Sequence, residues 1–305
     1  MREALAWVGL FAVSTLTLAC GAAPPSTSRA AVPPSPPATA AAENSDPGGS
    51  LGALRAKLSA GARVSELSLA AKGFGPGLGS VLSAAPSLSA LTSLDVSDND
   101  LGVEGARSLA RSLHLDAVRE LDLGGNDIGD EGAQSIARAA GLAGLVTLNL
   151  SGNSLTSVGV QAVTHGALRS LGSLDLSMNG IADAGTAAVA DSESSLESLY
   201  LLGCEIGPSG AKLLAQAKRL NKLQVLALSG NNLGDEGAIA LAKSIALPSL
   251  TTLDLCANGI SDTGALALAQ SSHLKNLKVI ELFGNEVGGR GRSALRKRFG
   301  ARLHL

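Results

Sequence analysis

Aromatic side chains are nearly missing from this 305-residue sequence, which has one Trp, one Tyr and four Phe. A conventional globular core of this length would carry more of them, so a single packed core is a poor fit. Cysteine is also scarce. Cys20, Cys204 and Cys256 are too far apart to form the disulfide framework of a small secreted domain. Positive charge has no surplus: 24 Lys and Arg stand against 26 Asp and Glu, for a net charge of -2. That balance leaves nothing to neutralise a phosphate backbone, and nucleic acid is excluded as an expected partner. The one long apolar run, Ala4 to Ala19, falls short of the ~20 residues that a comfortable transmembrane helix needs.

What the sequence does have is aliphatic residues, glycine and a period. Apolar residues make up 45% of the chain, and there are 37 glycines. The spacing L-x-x-L-x-L-x-x-N appears at Leu91, Leu94, Val96, Asn99 and again at Val118, Leu121, Leu123, Asn126. Further copies begin at Leu145, Leu171, Leu196, Leu223, Leu250 and Leu277, and a degenerate first copy begins at Val64 with Lys72 in the asparagine slot. The steps between copies are 27, 27, 27, 26, 25, 27, 27 and 27 residues. Nine copies in such register define a repeat array. Each copy continues into a glycine at one offset (Gly105, Gly132, Gly159, Gly185, Gly210, Gly237, Gly264, Gly291) and then an apolar pattern at i, i+3 and i+4. The pattern predicts a short strand, a turn holding the glycine, and a helix of about ten residues in each repeat.

These strings resemble the leucine-rich repeat family, in the long-repeat subtype found in ribonuclease inhibitor. The resemblance implies an α/β solenoid, a horseshoe of about nine repeats. Parallel strands would line the concave face and helices the convex face. It also implies that Asn99, Asn126, Asn153, Asn179, Cys204, Asn231, Asn258 and Asn285 form a structural ladder, since the subtype alternates Asn with Cys in that slot. The residues agree, because a strand that turns sharply outward strands its backbone polar groups, and a side-chain amide can satisfy both kinds. Cys256 sits two repeats from Cys204, about 10 Å away at ~5 Å per strand, beyond disulfide reach.

Terminal repeats need caps. Residues 50–63 offer Leu51, Leu54 and Leu58 on one helical face, and residues 292–305 offer a basic helix, Phe299 as a lid and a last strand. The expected repeat domain is therefore 50–305. Before it, residues 21–49 are Pro, Ala and Ser with almost no large apolar side chain, the composition of a disordered tether. Residues 1–20 end in "LTLAC", which resembles a bacterial lipoprotein signal. That resemblance implies cleavage before Cys20 and its lipidation, with a membrane anchor in the cell envelope, in the outer membrane since no aspartate follows the cysteine. Simple secretion and a buried N-terminal helix are the alternatives.

No catalytic constellation emerges. His114, His165, His273 and His304 share no repeat position, and none has a partner at motif spacing, so neither a metal nor a cofactor is expected. The pairs Asp130-Glu131 and Asp235-Glu236 read as helix-start charges, with Arg111, Arg138 and Lys243 towards helix ends. The open strand positions are acidic in the first half (Asp95, Asp122, Asp175) and more apolar in the second, with Tyr200, Leu202, Asp254, Cys256, Glu281 and Phe283. Tyr200 and Phe283 are the expected binding hot spots, since buried aromatics dominate many interfaces. The function expected is a monomeric, non-enzymatic protein-binding scaffold. A GTPase regulator resembling the Ran GTPase-activating protein is the alternative if the first twenty residues are no signal.

Overall fold

The computed structural model describes residues 50–61 and 63–305. The expected signal, Cys20 and the tether lie outside the described residues. One helix opens the described chain, α1 (Leu51–Ser59). Strand β1 (Glu66–Ser68) and helix α2 (Gly77–Ser83) follow, then β2 (Ser93–Asp95) and α3 (Gly102–Ala110), β3 (Glu120–Asp122) and α4 (Gly129–Ala137). The alternation continues with β4 (Thr147–Asn149) and α5 (Ser157–His165), β5 (Ser173–Asp175) and α6 (Ala182–Ala190), β6 (Ser198–Tyr200) and α7 (Pro208–Gln216). It closes with β7 (Val225–Ala227) and α8 (Gly234–Ala242), β8 (Thr252–Asp254) and α9 (Asp262–Gln270), β9 (Val279–Glu281), α10 (Gly289–Phe299) and β10 (Leu303–His304). The ten strands form one parallel sheet in sequence order, the solenoid expected from the period.

Register is fixed by the middle residue of each strand. Leu94, Leu121, Leu148, Leu174, Leu199, Leu226, Leu253 and Ile280 are buried one above the next between sheet and helices. Burying each such side chain is worth roughly 1.5–3 kcal/mol, and a one-residue slip would expose the whole row.

The asparagines form the ladder. Asn126 Nδ2 donates to Val96 O of the preceding repeat at 3.0 Å and to its own Leu123 O at 3.0 Å. Asn126 Oδ1 accepts from the N–H groups of Asn99 and Leu101, at 3.0 and 3.2 Å. One buried amide thus serves the strand exit and the helix entry of its neighbour. Cys204 keeps the donor arm, with Sγ donating to Leu176 O at 3.2 Å, and burial pushes its thiol up to about 12 so that it stays protonated. The residue before each rung is left-handed throughout, from Asp98 (φ 53°) to Gly125 (φ 64°), Met178 (φ 57°) and Ala257 (φ 51°). At Gly125 a methyl would also stand 2.1 Å from Asp98 Oδ1.

The once-per-repeat glycines do not sit in the turn, as the sequence reading expected. Gly132 is the fourth residue of α4, and a methyl there would stand 2.7 Å from Ile128 Cβ and 3.2 Å from Ala106 Cβ of the preceding helix. The glycine lets successive helices touch backbone to side chain.

Helix entries come in two kinds. Before α3, α4, α6 and α8 the chain enters through a left-handed residue (Gly102, Gly129, Ala182, Gly234), whose N–H donates to the rung carbonyl of the next repeat. Before α5, α7, α9 and α10 it enters through an extended residue (Thr156, Gly207, Ser261, Gly288). Each extended entry is capped by an aspartate of the repeat before it. Asp235 accepts from Ser261 N–H (2.8 Å), Ser261 Oγ (2.6 Å) and Gly264 N–H (2.9 Å). Asp130, Asp183 and Asp262 do the same for Gly159, Gly210 and Gly291. Glu236 instead meets Lys212 at 2.8 Å in the open. Arg111, Arg138 and Lys243 are the C-cap residues of their helices, where positive charge offsets the carbonyl dipole.

The ends are closed. Ser50 Oγ caps α1 by accepting from Ala53 N–H, and Leu54 is buried with Leu51 and Leu58 packed alongside. At the far end Leu295 and Phe299 are buried, and Arg298 and Arg302 donate to Ser271 O and Leu277 O.

Partial burial raises the Asp235 carboxyl, but the hydrogen bonds from Ser261 and Gly264 outweigh it and hold the group below its ordinary value. Its stabilising contribution is therefore present above the unfolded pKa and lost as pH falls through the folded one. Asp235→Ala should lower unfolding free energy by about 1–2 kcal/mol, the usual cost of a lost N-cap. Glu236→Ala should leave the denaturation curve at its wild-type position. Chemical denaturation of both variants checks the contrast.

Candidate functional site

The concave sheet face is built from the first and third residues of each strand and the residue two further on. The third position gives one continuous row: Ser68, Asp95, Asp122, Asn149, Asp175, Tyr200, Ala227, Asp254, Glu281, His304.

All five of its Asp and Asn members have a local task. Oδ1 accepts the N–H two residues on: Ser97 to Asp95 (3.0 Å), Gly124 to Asp122 (2.8 Å), Ser151 to Asn149 (2.9 Å), Ser177 to Asp175 (2.8 Å), Cys256 to Asp254 (2.9 Å). This side-chain turn steers the chain off the strand. It explains why short acidic or amide side chains recur in the row without appeal to a ligand. The second oxygens are shared along the row. Asp122 Oδ2 accepts from Asn149 Nδ2 at 3.0 Å, and Asp95 Oδ2 from Ser68 Oγ at 2.9 Å.

Crowding carboxylates on a half-buried face has an electrostatic cost. Burial raises Asp122, and the charges of Asp95 and Asp98 add to it. Burial raises Asp175 as well, only partly offset by Ser177, with Asp122 adding repulsion. Burial raises Glu281, and the charge of Asp254 raises it further.

The residues expected to meet a partner differ in accessibility. Asp95, Asp122, Asp175 and Leu202 are partly exposed, and Phe283 is 52% exposed. Two are not at the surface: Tyr200 is 8% exposed and Asp254 1%. Tyr200 stands between Asp175 and Ala227 in the row, on a strand whose three residues Ser198, Leu199 and Tyr200 are all buried. Its hydroxyl is raised by burial, against a hydrogen bond with Ser198. Met178, 70% exposed, was missed by the sequence reading. The signal was available: it holds a left-handed position that glycine occupies in most repeats, as in "GGN" and "SGN". Met178 lies beside Gly203 and so adjoins Leu202. Cys204 and Cys256 are buried, and neither is in a disulfide among the described residues. Also among those residues, no helix is long and apolar enough to cross a membrane.

A family model described as "Leucine Rich repeat" matches residues 88–110, 118–137, 145–163, 167–190, 193–215, 219–242, 246–269 and 273–295, more than half of the chain. Among solved structures, the chain is similar to internalin C2 from Listeria monocytogenes at 22% identity, covering 82% of each chain with a TM-score of 0.41. It is also similar to TLR13 in a complex with ssRNA13 at 19% identity, covering 79% of this chain and 35% of that one, with a TM-score of 0.47. No curated protein sequence matches closely enough to count as a relative.

Asp175 gives the electrostatic reading a direct test. Its folded pKa is raised, so its contribution to stability is full below the unfolded carboxylate value (~4) and is lost as pH rises through the folded value. Asp175→Asn keeps an acceptor for Ser177 N–H and removes the charge. The variant should melt about 2–4 °C above wild type at pH 7, roughly 1 kcal/mol, and the gap should shrink towards pH 4. Thermal melts across that range check it.

Proposed function

The chain belongs to the leucine-rich repeat family, and from that premise we propose that it is a non-enzymatic scaffold that binds another protein on its concave face. The observation that carries the proposal is the half-exposed Phe283 on a sheet face whose other large apolar side chains are mostly covered. Leu202 and Met178 form a second apolar contact, three and four strands from Phe283, or about 14 and 19 Å at ~4.8 Å per strand. The Asp95–Asp122 end is acidic, so the partner presents a basic segment there and apolar side chains to the two contacts. Tyr200 and Asp254 serve as covered supports under that surface. The 25–27-residue period, the nine-residue helices and the Cys204 rung support placing it in the long-repeat subtype resembling ribonuclease inhibitor.

We further propose that the protein is delivered to the cell envelope. Residues 1–20 act as a lipoprotein-like signal, Cys20 carries the lipid, and residues 21–49 give the repeat body reach from the membrane. The Pro, Ala and Ser composition of that segment supports the tether.

Two measurements test these readings separately. Wild-type protein and a Met178→Ala, Phe283→Ala double variant are used to capture proteins from envelope extract, followed by quantitative mass spectrometry. Loss of interface anchors is worth about 2 kcal/mol or more, roughly thirtyfold, so a protein enriched on wild type should fall at least tenfold on the variant. Equal capture would remove the concave face from consideration. Intact-mass analysis of protein from its native host should show a diacyl or triacyl adduct on Cys20. A retained Met1 would overturn the envelope reading and leave the binding reading untouched.

A further inference from the structure

The far end of the concave row holds a mixed set of donors. Parallel register sets Asp254, Glu281 and His304 side by side on β8, β9 and β10. Cys256, two residues after Asp254, rises on the same face. The donor atoms of Asp254, Cys256 and Glu281 all lie within 4.8 Å of one another. His304 Nδ1 is 3.5 Å from Glu281 Oε1.

Asp254 is the informative member. It is 1% exposed, its carboxylate is hydrogen-bonded by the Cys256 side chain as well as by Cys256 N–H (2.9 Å to Oδ1), and Oδ2 has no hydrogen-bond partner among the described residues. A buried carboxylate oxygen without a donor is costly, and a second carboxylate beside it compounds the cost. A divalent cation would resolve both at once, by coordinating the orphan oxygen and offsetting the two negative charges. We propose that Asp254, Cys256, Glu281 and His304 form a binding site for a divalent transition metal of the zinc class.

The donor chemistry selects that class. One thiolate, one imidazole and two carboxylates suit Zn²⁺ or Co²⁺, whereas Mg²⁺ and Ca²⁺ take oxygen donors. Tetrahedral ligands at ~2.0–2.3 Å from the metal stand about 3.3–3.8 Å apart, so the three donors within 4.8 Å of one another draw together on binding, and His304 joins them from beside Glu281. Cys256 loses its thiol proton to solvent and forms the metal–sulfur bond. His304 is 60% exposed and Glu281 15%, which opens a route from solvent to the covered pair behind them. The residues come from two repeats and the terminal cap, so a bound metal would pin β8, β9 and β10 together at the end of the array.

The test is Co²⁺ titration of the reduced, full-length protein, read by the near-ultraviolet thiolate-to-cobalt charge-transfer band. One equivalent should bind, Zn²⁺ should displace it, and Mg²⁺ and Ca²⁺ should not. Cys20→Ser and Cys204→Ser should retain the band, and Cys256→Ser should abolish it. Glu281→Gln and His304→Ala, both at the accessible side of the site, should each weaken binding at least tenfold while their metal-free melting curves stay cooperative. No band in wild type, or a band that survives Cys256→Ser, overturns the site. Unchanged affinity in His304→Ala overturns the fourth ligand.

Discussion

Each repeat depends on one buried side-chain amide. A strand of three residues ends before it has satisfied its own carbonyls, and the helix that follows starts with N–H groups pointing inwards. Asn126 answers both, donating to Val96 and Leu123 while accepting from Asn99 and Leu101. Because three of those four bonds belong to the preceding repeat, no rung is complete alone. Stability in such an array is a sum of neighbour terms, and the amide is the polar part of each term as the stacked leucines are the apolar part. Cys204 shows how far the rule bends. A buried thiol that stays protonated supplies the donor to Leu176, and Asn231 Oδ1 still accepts from Cys204 N–H on the other side.

The concave row carries a second kind of economy. The aspartates that give this face its charge are the same groups that turn the chain off the strand, through Oδ1 and the N–H two residues on. Charge in this row is therefore poor evidence of a ligand by itself. Information specific to this protein sits where the row or its neighbours break the pattern. Phe283 and Met178 project where small residues prevail, Tyr200 is tucked down, and Glu281 and His304 follow Asp254 with no turn of that kind to make.

Much of the architecture was legible because the period is a direct record of contact. Residues one period apart pair across strands, so the leucine row, the rungs from Asn99 to Asn285 and the cap helix could be read by alignment of the chain with itself. What could not be read was anything set by depth or by side-chain direction. The recurring glycines looked like turn residues, but helix packing at Ile128 and Ala106 requires them. Tyr200 and Asp254 stood at open positions in the register, yet they are 8% and 1% exposed, a depth that register alone does not set. The cluster of Asp254, Cys256, Glu281 and His304 spans two repeats and the cap, and no linear spacing motif describes it. The anchor and tether belong to a segment outside the described residues, and their reading rests on composition and on the string that ends at Cys20.

The two kinds of helix entry constrain how such a chain can grow or shrink. An aspartate at Asp130, Asp183 or Asp235 commits the next repeat to an extended entry at Thr156, Gly207 or Ser261. A repeat with a left-handed entry follows one that lacks the aspartate, as Ala182 follows Ser157 and Gly234 follows Pro208. Excising the repeat entered at Thr156 or Gly207 would bring Asp130 or Asp183 against a left-handed entry, whereas excising the repeat entered at Ser261 would set Asp235 against another extended entry, at Gly288. What must stay matched is the junction between an aspartate and the entry after it, as the series Asp235, Asp262, Gly291 shows, so an exchange of repeats that leaves each junction intact keeps the helix caps.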